Sequence, residues 1–257
     1  MPQDSLEKAS RRDTETQRGA ARRALDAARR RFPAAYERAR RLAARPRAIA
    51  AWYAHRLRTR GAEADVYGAG FWEYHDRGDW DGFARLLLRR FPARSVLDVG
   101  CGDGKLLAAV LRAAPGTRVL GIDSSPAALR AARARGVETL ALDFAAAGRR
   151  EVERAAAAVG AFDLAVSLET VEHFPPWHAG KLLRLVTVAP VVVFSAAQPD
   201  QGGTMHVNER PVAYWVERLR RLGYALHPEN DAFRREVDAL ELEPWYRANV
   251  NAFARRG

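Results

Sequence analysis

Apolar positions in the middle of this chain come in short unbroken runs separated by amphipathic stretches. Residues 95–99, 119–123, 139–144, 164–168 and 191–196 are strand-length runs rich in Val, Leu and Ile, whereas 106–113, 127–134 and 178–185 repeat their apolar positions with a helical period. That alternation predicts an α/β domain with a mostly parallel sheet, right-handed crossovers and helices on both faces. Near the C-terminus, 224–227 and 245–253 are two further segments with apolar positions, and Pro211 is placed to open a helix. In such a sheet ligands bind at the carboxyl ends of the strands.

The N-terminal part reads differently. Residues 1–18 are polar and uncapped, and disorder is expected there. Apolar residues then recur on one face at Leu25, Ala28 and Phe32, at Tyr36, Ala39 and Leu42 after Pro33, and at Ile49, Trp52, Tyr53 and Leu57 after Pro46. The pattern predicts short amphipathic helices broken at the prolines, packed on the core or on a second subunit. The division expected is a helical extension, 1–64, and a main domain, 65–257.

Charge sharpens that division. The 257 residues carry a net charge of +11, but residues 1–64 hold 17 basic against 7 acidic side chains, and the remainder 25 against 24. A neutral main domain argues against a nucleic-acid groove across its face, while the basic arm leaves contact with an acidic surface open. Arginine dominates over the three lysines alongside abundant alanine, a coding bias that weakens arginine count as a sign of any partner. Cys101 is the single cysteine, which excludes a disulfide framework. The apolar stretch around 186–197 is too short to span a bilayer and the N-terminus lacks an apolar signal core, so a soluble cytoplasmic protein is expected.

The chemistry concentrates where the first strand ends. Asp98-Val-Gly100-Cys101-Gly102-Asp-Gly104 combines an apolar strand with three glycines that permit a sharp turn and close approach to a ligand. Asp123 stands about 20 residues on, where an acid can take a ribose diol. The spacing is G-x-G-x-G rather than the dinucleotide G-x-G-x-x-G. Asp98, two residues before the first glycine, would repel a pyrophosphate and suits a cationic ligand. With Gly121-Ile-Asp123, Leu142-Asp143-Phe144 and Phe162-Asp-Leu-Ala-Val-Ser-Leu168 following in order, the chain resembles the class I methyltransferases that use S-adenosylmethionine (SAM), over residues 65–257. The resemblance implies a Rossmann-like fold with a mostly parallel seven-stranded sheet, closed by an antiparallel hairpin of 224–227 and 245–253. It implies Asp98, Gly100, Cys101, Gly102 and Gly104 around the methionine part of SAM, Asp123 at the ribose, Asp143 and Phe144 at the adenine, and Ser124 and Leu168 as further cofactor-binding residues. It also implies a lid over a small-molecule acceptor, for which 65–94 is the candidate; its aromatics include Tyr67, Phe71, Trp72, Tyr74 and Trp80, with Tyr67 and Trp72 as substrate contacts, and simple packing of these aromatics on the core stays open beside it.

A second cluster follows the fourth strand. In Glu169-Thr-Val-Glu172-His173, a helical turn would project both carboxylates and the imidazole from one face, a pattern suited to a divalent cation. The segment resembles the O-methyltransferases of ubiquinone biosynthesis and the small-RNA 2′-O-methyltransferases. That resemblance implies Glu169, Glu172 and His173 as ligands of Mg²⁺, Mn²⁺ or Fe²⁺; many metal-free relatives carry a Glu-His pair here that merely caps a helix, and both readings stay open. The polar loop 198–209 supplies His206 as a fourth ligand or, like His173, a general base, and Gln198, Asn208 and Glu209 as contacts for substrate hydroxyls. Asn208 and Glu209 would alternatively cap the helix after Pro211.

Overall fold

The computed structural model describes residues 33–58 and 78–257, with the backbone alone for 33–45. Tyr67, Phe71, Trp72 and Tyr74 lie outside the described residues. The chain divides into two compact units, Met1–Ala51 and Trp52–Gly257. In the first unit the described residues are helical, the opening part of α1 (Pro33–Arg58). The expected break at Pro46 does not occur. A proline inside a helix removes only one backbone hydrogen bond, and the helix runs on through Pro46 to Arg58.

The second unit holds the sheet. After α2 (Trp80–Arg90) the elements run β1 (Ser95–Val99), α3 (Lys105–Ala113), β2 (Arg118–Asp123), α4 (Pro126–Ala134), β3 (Glu138–Ala141), α5 (Arg149–Val159) and β4 (Leu164–Ser167). A 3₁₀ turn (Val171–His173) leads to α6 (Ala179–Val186), β5 (Val191–Phe194), α7 (Val212–Arg221), β6 (Tyr224–Leu226), α8 (Asn230–Asp238), α9 (Pro244–Asn249) and β7 (Asn251–Arg255). The strand order is β3-β2-β1-β4-β5-β7-β6, parallel except for β7, which runs antiparallel to both β5 and β6. Helices flank the sheet: α2 packs on α3 and α8, and α5 on α6. The order reverses between β1 and β4, and the crevice at such a reversal is where ligands of open α/β sheets bind.

Two expectations are corrected. Residues 78–94 are not lid: Phe83, Leu86 and Leu87 of α2 are almost wholly buried, and Trp80 packs edge-on against Phe83 and Tyr246. A helix with its apolar stripe locked in the core cannot swing. The final hairpin strand begins at Asn251 rather than Trp245, because Pro244 at a first helical position starts α9 instead. No helix among the described residues is long and apolar enough to cross a membrane.

Candidate active site at the sheet switch point

The loop after β1 needs its glycines. Gly100, Gly102 and Gly104 have φ of 87°, 53° and 76°, and a Cβ on Gly100 would fall 2.2 Å from a methyl carbon of Thr170. Asp123 at the end of β2 straps this loop: its Oδ2 accepts from Gly102 N at 3.0 Å, and its Oδ1 from the backbone N–H groups of Ser124 (2.7 Å) and Ser125 (2.9 Å). Asp98 lies buried beneath the loop. Burial, with the nearby charge of Asp123 adding to it, pushes its carboxyl up to about 8. Cys101 has its side chain turned inward: a Cβ on Gly121 would lie 2.6 Å from its Sγ. Only its backbone is left to face a ligand.

Asp143 and Phe144 sit beyond the end of β3, which stops at Ala141. The strand ends early because Asp143 Oδ1 accepts from Ala145 N and Ala146 N, folding the chain into a turn. Its Oδ2 accepts from Arg56 of α1. Phe144 is buried against Phe174, and Lys181 donates to the carbonyls of Phe144 (2.8 Å) and Ala147 (2.6 Å). Ser124 is exposed, and Leu168 is half-buried against the core.

The second cluster forms after β4. Glu169 is not on a helix face: it adopts φ 46°, ahead of the 3₁₀ turn, so the expected i, i+3, i+4 geometry does not form. Its carboxylate accepts from Gln201 Nε2 (2.7 Å) and from Asn249 Nδ2 (3.1 and 3.2 Å). Glu172 points inward and is fully buried, with neither carboxylate oxygen hydrogen-bonded. Burial pushes its carboxyl well up and the charge of Glu169 pushes it further; the N–H groups of Glu172 and Ala197 oppose this without completing a bond. Loop 204–209 is zipped onto the turn by Val207 N and Asn208 N, both donating to Glu172 O, and by Asn208 Nδ2 donating to Val171 O.

That zipper brings His206 beside His173, with ring centroids 4.8 Å apart. One donor atom each of Glu172, His173 and His206 lies within 4.8 Å of the others. His173 Nδ1 is 3.0 Å from Thr204 O, a carbonyl that can only accept, so this ring carries its lone pair on Nε2. Glu209 accepts from Asp200 N, Gly202 N and His206 Nδ1. Burial works against its charge, but His206 and those N–H groups outweigh it and hold the carboxyl below its ordinary range.

Three of the four expected ligands therefore have donor atoms within 4.8 Å of one another; Glu169 is not one of that group, its carboxylate engaged by Gln201 and Asn249, although its charge acts on Glu172 and His206. Asn208 and Glu209 cap no helix. Asn208 is buried and its side chain is engaged with Val171 and Arg210, which removes it from the candidate substrate contacts. Gln198 donates to Asn249 Oδ1 at 2.7 Å. Sequence reasoning missed Gln201, Asn249 and Tyr246; the last is held protonated by burial and by the charges of Glu169 and Glu172. No local spacing marks them, since β7 pairing with β5 is what carries α9 to the site.

A profile of the methyltransferase domain matches residues 96–188. The chain is 36% identical over 196 residues to the trans-aconitate 2-methyltransferase of Methylobacterium radiotolerans, covering 64% of this chain and 72% of that protein. It is 32% identical over 165 residues to the ubiquinone biosynthesis O-methyltransferase of Nitrosococcus oceani, covering 60% and 61%. Among solved structures, a sugar N-methyltransferase from Streptoalloteichus superposes with a TM-score of 0.48 at 17% identity, over 80% of this chain and 93% of that one. A small RNA methyltransferase gives 0.48 at 18%, over 69% and 25%. The chain belongs to the class I SAM-dependent methyltransferases. It is an enzyme whose cofactor is SAM.

Proposed function

We propose that this enzyme is an O-methyltransferase of a small, polyhydroxylated or glycosidic molecule, working in the cytoplasm with a divalent cation held by Glu172, His173 and His206. The observation that carries the reading is Glu172: a buried carboxylate with no hydrogen-bond donor, set against two imidazoles. A charge so placed costs several kcal/mol in general unless a proton or a cation compensates it. A carboxylate with two imidazoles suits Mg²⁺, Mn²⁺ or Fe²⁺ better than a closed zinc site. Relatives named for trans-aconitate and for ubiquinone biosynthesis support a small-molecule acceptor and transfer to oxygen.

Methyl transfer is an in-line displacement at the sulfonium carbon, so alignment and a deprotonated acceptor are what the protein must provide. Asp98 is drawn into its ionised form by the cationic end of SAM and pairs with it, Asp123 offers acceptors to the ribose, and the glycines let the ligand approach the backbone. The cation, when bound, would lower the pKa of an acceptor hydroxyl and orient neighbouring oxygens. Glu169, fixed by Gln201 and Asn249, gives the pocket a second acceptor for a substrate hydroxyl. Transfer of a labelled methyl group to pooled small polyols and glycosides, abolished by a chelator, is the expected result. Transfer to RNA instead would favour the reading in which the basic residues of 1–64 meet a terminal ribose, and full activity in excess chelator would remove the cation.

A further inference from the structure

We infer that Glu209 is a positioning residue, which fixes His206 in the tautomer that presents Nε2 and so prepares the cation site. The inference rests on the reading of Glu172, His173 and His206 as that site, and goes beyond it by assigning the group that orients one of its members.

Three observations carry it. First, one carboxylate takes three donors: Oε1 accepts from His206 Nδ1 at 3.1 Å and from Gly202 N at 2.8 Å, and Oε2 accepts from Asp200 N at 3.0 Å. A carboxylate that takes two backbone N–H donors is placed as an acceptor, so the contact with His206 is one in which Nδ1–H donates; in the neutral ring the lone pair then falls on Nε2. Second, the backbone donors come from a segment that would not hold its shape unaided. Asp200, Gly202, Gly203 and Met205 all have positive φ (72°, 70°, 148° and 59°), a run that non-glycine residues resist. Glu209 closes this segment against its own side chain. Third, the imidazole is wedged against that same segment: a Cβ on Gly203 would fall 2.4 Å from His206 Nε2 and Cε1, so the loop's shape and the ring's position are one structure.

At His173 the partner of Nδ1 is a backbone carbonyl, Thr204 O, which no side-chain substitution removes. Glu209 is the side chain through which the tautomer of one ring can be altered by substitution. Carboxylates in this relation to a liganding histidine typically alter metal affinity ten- to a hundredfold when replaced.

The test uses the full chain and Glu209→Gln and Glu209→Ala, each first shown to bind S-adenosylhomocysteine with wild-type affinity, which reports an intact fold. Long-range ¹H–¹⁵N correlation of the histidine rings in the metal-free protein should show His206 protonated at Nδ1 in the wild type, and mixed or reversed in Glu209→Ala. Mn²⁺ titration should show affinity about ten- to a hundredfold weaker in Glu209→Gln. In a His206→Ala background the same substitution should change nothing further, because Glu209 acts through that ring. An unchanged tautomer in Glu209→Ala would overturn the inference, as would an equal loss of Mn²⁺ affinity with and without His206. If the wild type takes up no Mn²⁺ the cation reading fails by itself, and the ring correlation still decides the role of Glu209. Should Glu209→Ala not fold, Glu209→Leu, which is closer in size and offers Nδ1 no acceptor, is read in its place with the same expectation.

Discussion

The indole N–H of Trp52 donates to the backbone carbonyl of His173 at 2.7 Å, so the last turns of α1 are tied to the turn that carries two of the candidate cation ligands. Trp52 is buried and Arg56, over its ring, reaches Asp143 beyond the end of β3. Tyr53 stacks on Trp177 and meets His178. These residues belong to the main unit although the charge pattern places them in the basic arm.

A truncated chain beginning at Arg47 should accordingly keep wild-type affinity for SAM. One beginning after Arg58 should lose at least a few kcal/mol of stability, the sum of a buried aromatic and its hydrogen bond. Thermal melts and calorimetry of both truncations check this. Equal behaviour of the two would contradict the placement of Trp52.

Asp123 is expected to matter twice, once for the ribose and once for the loop it straps. Replacing it by Ala removes charge-assisted bonds worth about 1.5 to 3 kcal/mol, which is roughly ten- to a hundredfold in SAM affinity. Asn keeps one oxygen for Gly102 N or for the Ser124 and Ser125 pair, and should fall between. Wild-type calorimetry for Asp123→Ala would remove the residue from the site.

Asp98 gives a pH dependence with a definite sign. Its carboxyl is pushed up to about 8 by burial and by Asp123, above the unfolded value near 3.8. The folded state therefore binds the proton more tightly, and this group's contribution to stability declines as pH rises from about 4 to about 8. A cationic ligand favours the ionised form, so SAM affinity should rise over the approach to pH 8. Asp98→Asn should melt higher than the wild type at pH 8 and bind SAM more weakly. Melts and calorimetry at pH 6 and pH 8 test both halves.

Much of the fold was legible because the strands are short apolar runs punctuated by glycine and by the acids Asp98 and Asp123, a pattern that local chemistry dictates. The ends of β3 and β7 were not, because Asp143 folds back on its own backbone and Pro244 starts a helix inside an apolar run. The candidate site was legible where its residues are neighbours in sequence, as with Glu172 and His173. Asn249 and Gln201 were invisible because they reach Glu169 only through the folded sheet. The positive φ of Glu169 is likewise set by tertiary bonds, its N–H donating to the carbonyl and hydroxyl oxygens of Ser195. No helical spacing foretells it.

The most direct test of the cation site is Glu172→Gln, which keeps the shape of the side chain and deletes its charge. In metal-free protein at neutral pH, this variant should melt higher than the wild type, since the buried carboxylate without a hydrogen-bond partner is gone. Mn²⁺ at about a hundred times its dissociation constant should raise the wild-type melting temperature by about 5 to 10 °C. The same Mn²⁺ should leave Glu172→Gln unmoved. A melting temperature that Mn²⁺ shifts equally in both proteins, or in neither, would contradict the assignment of Glu172, His173 and His206 as the cation site.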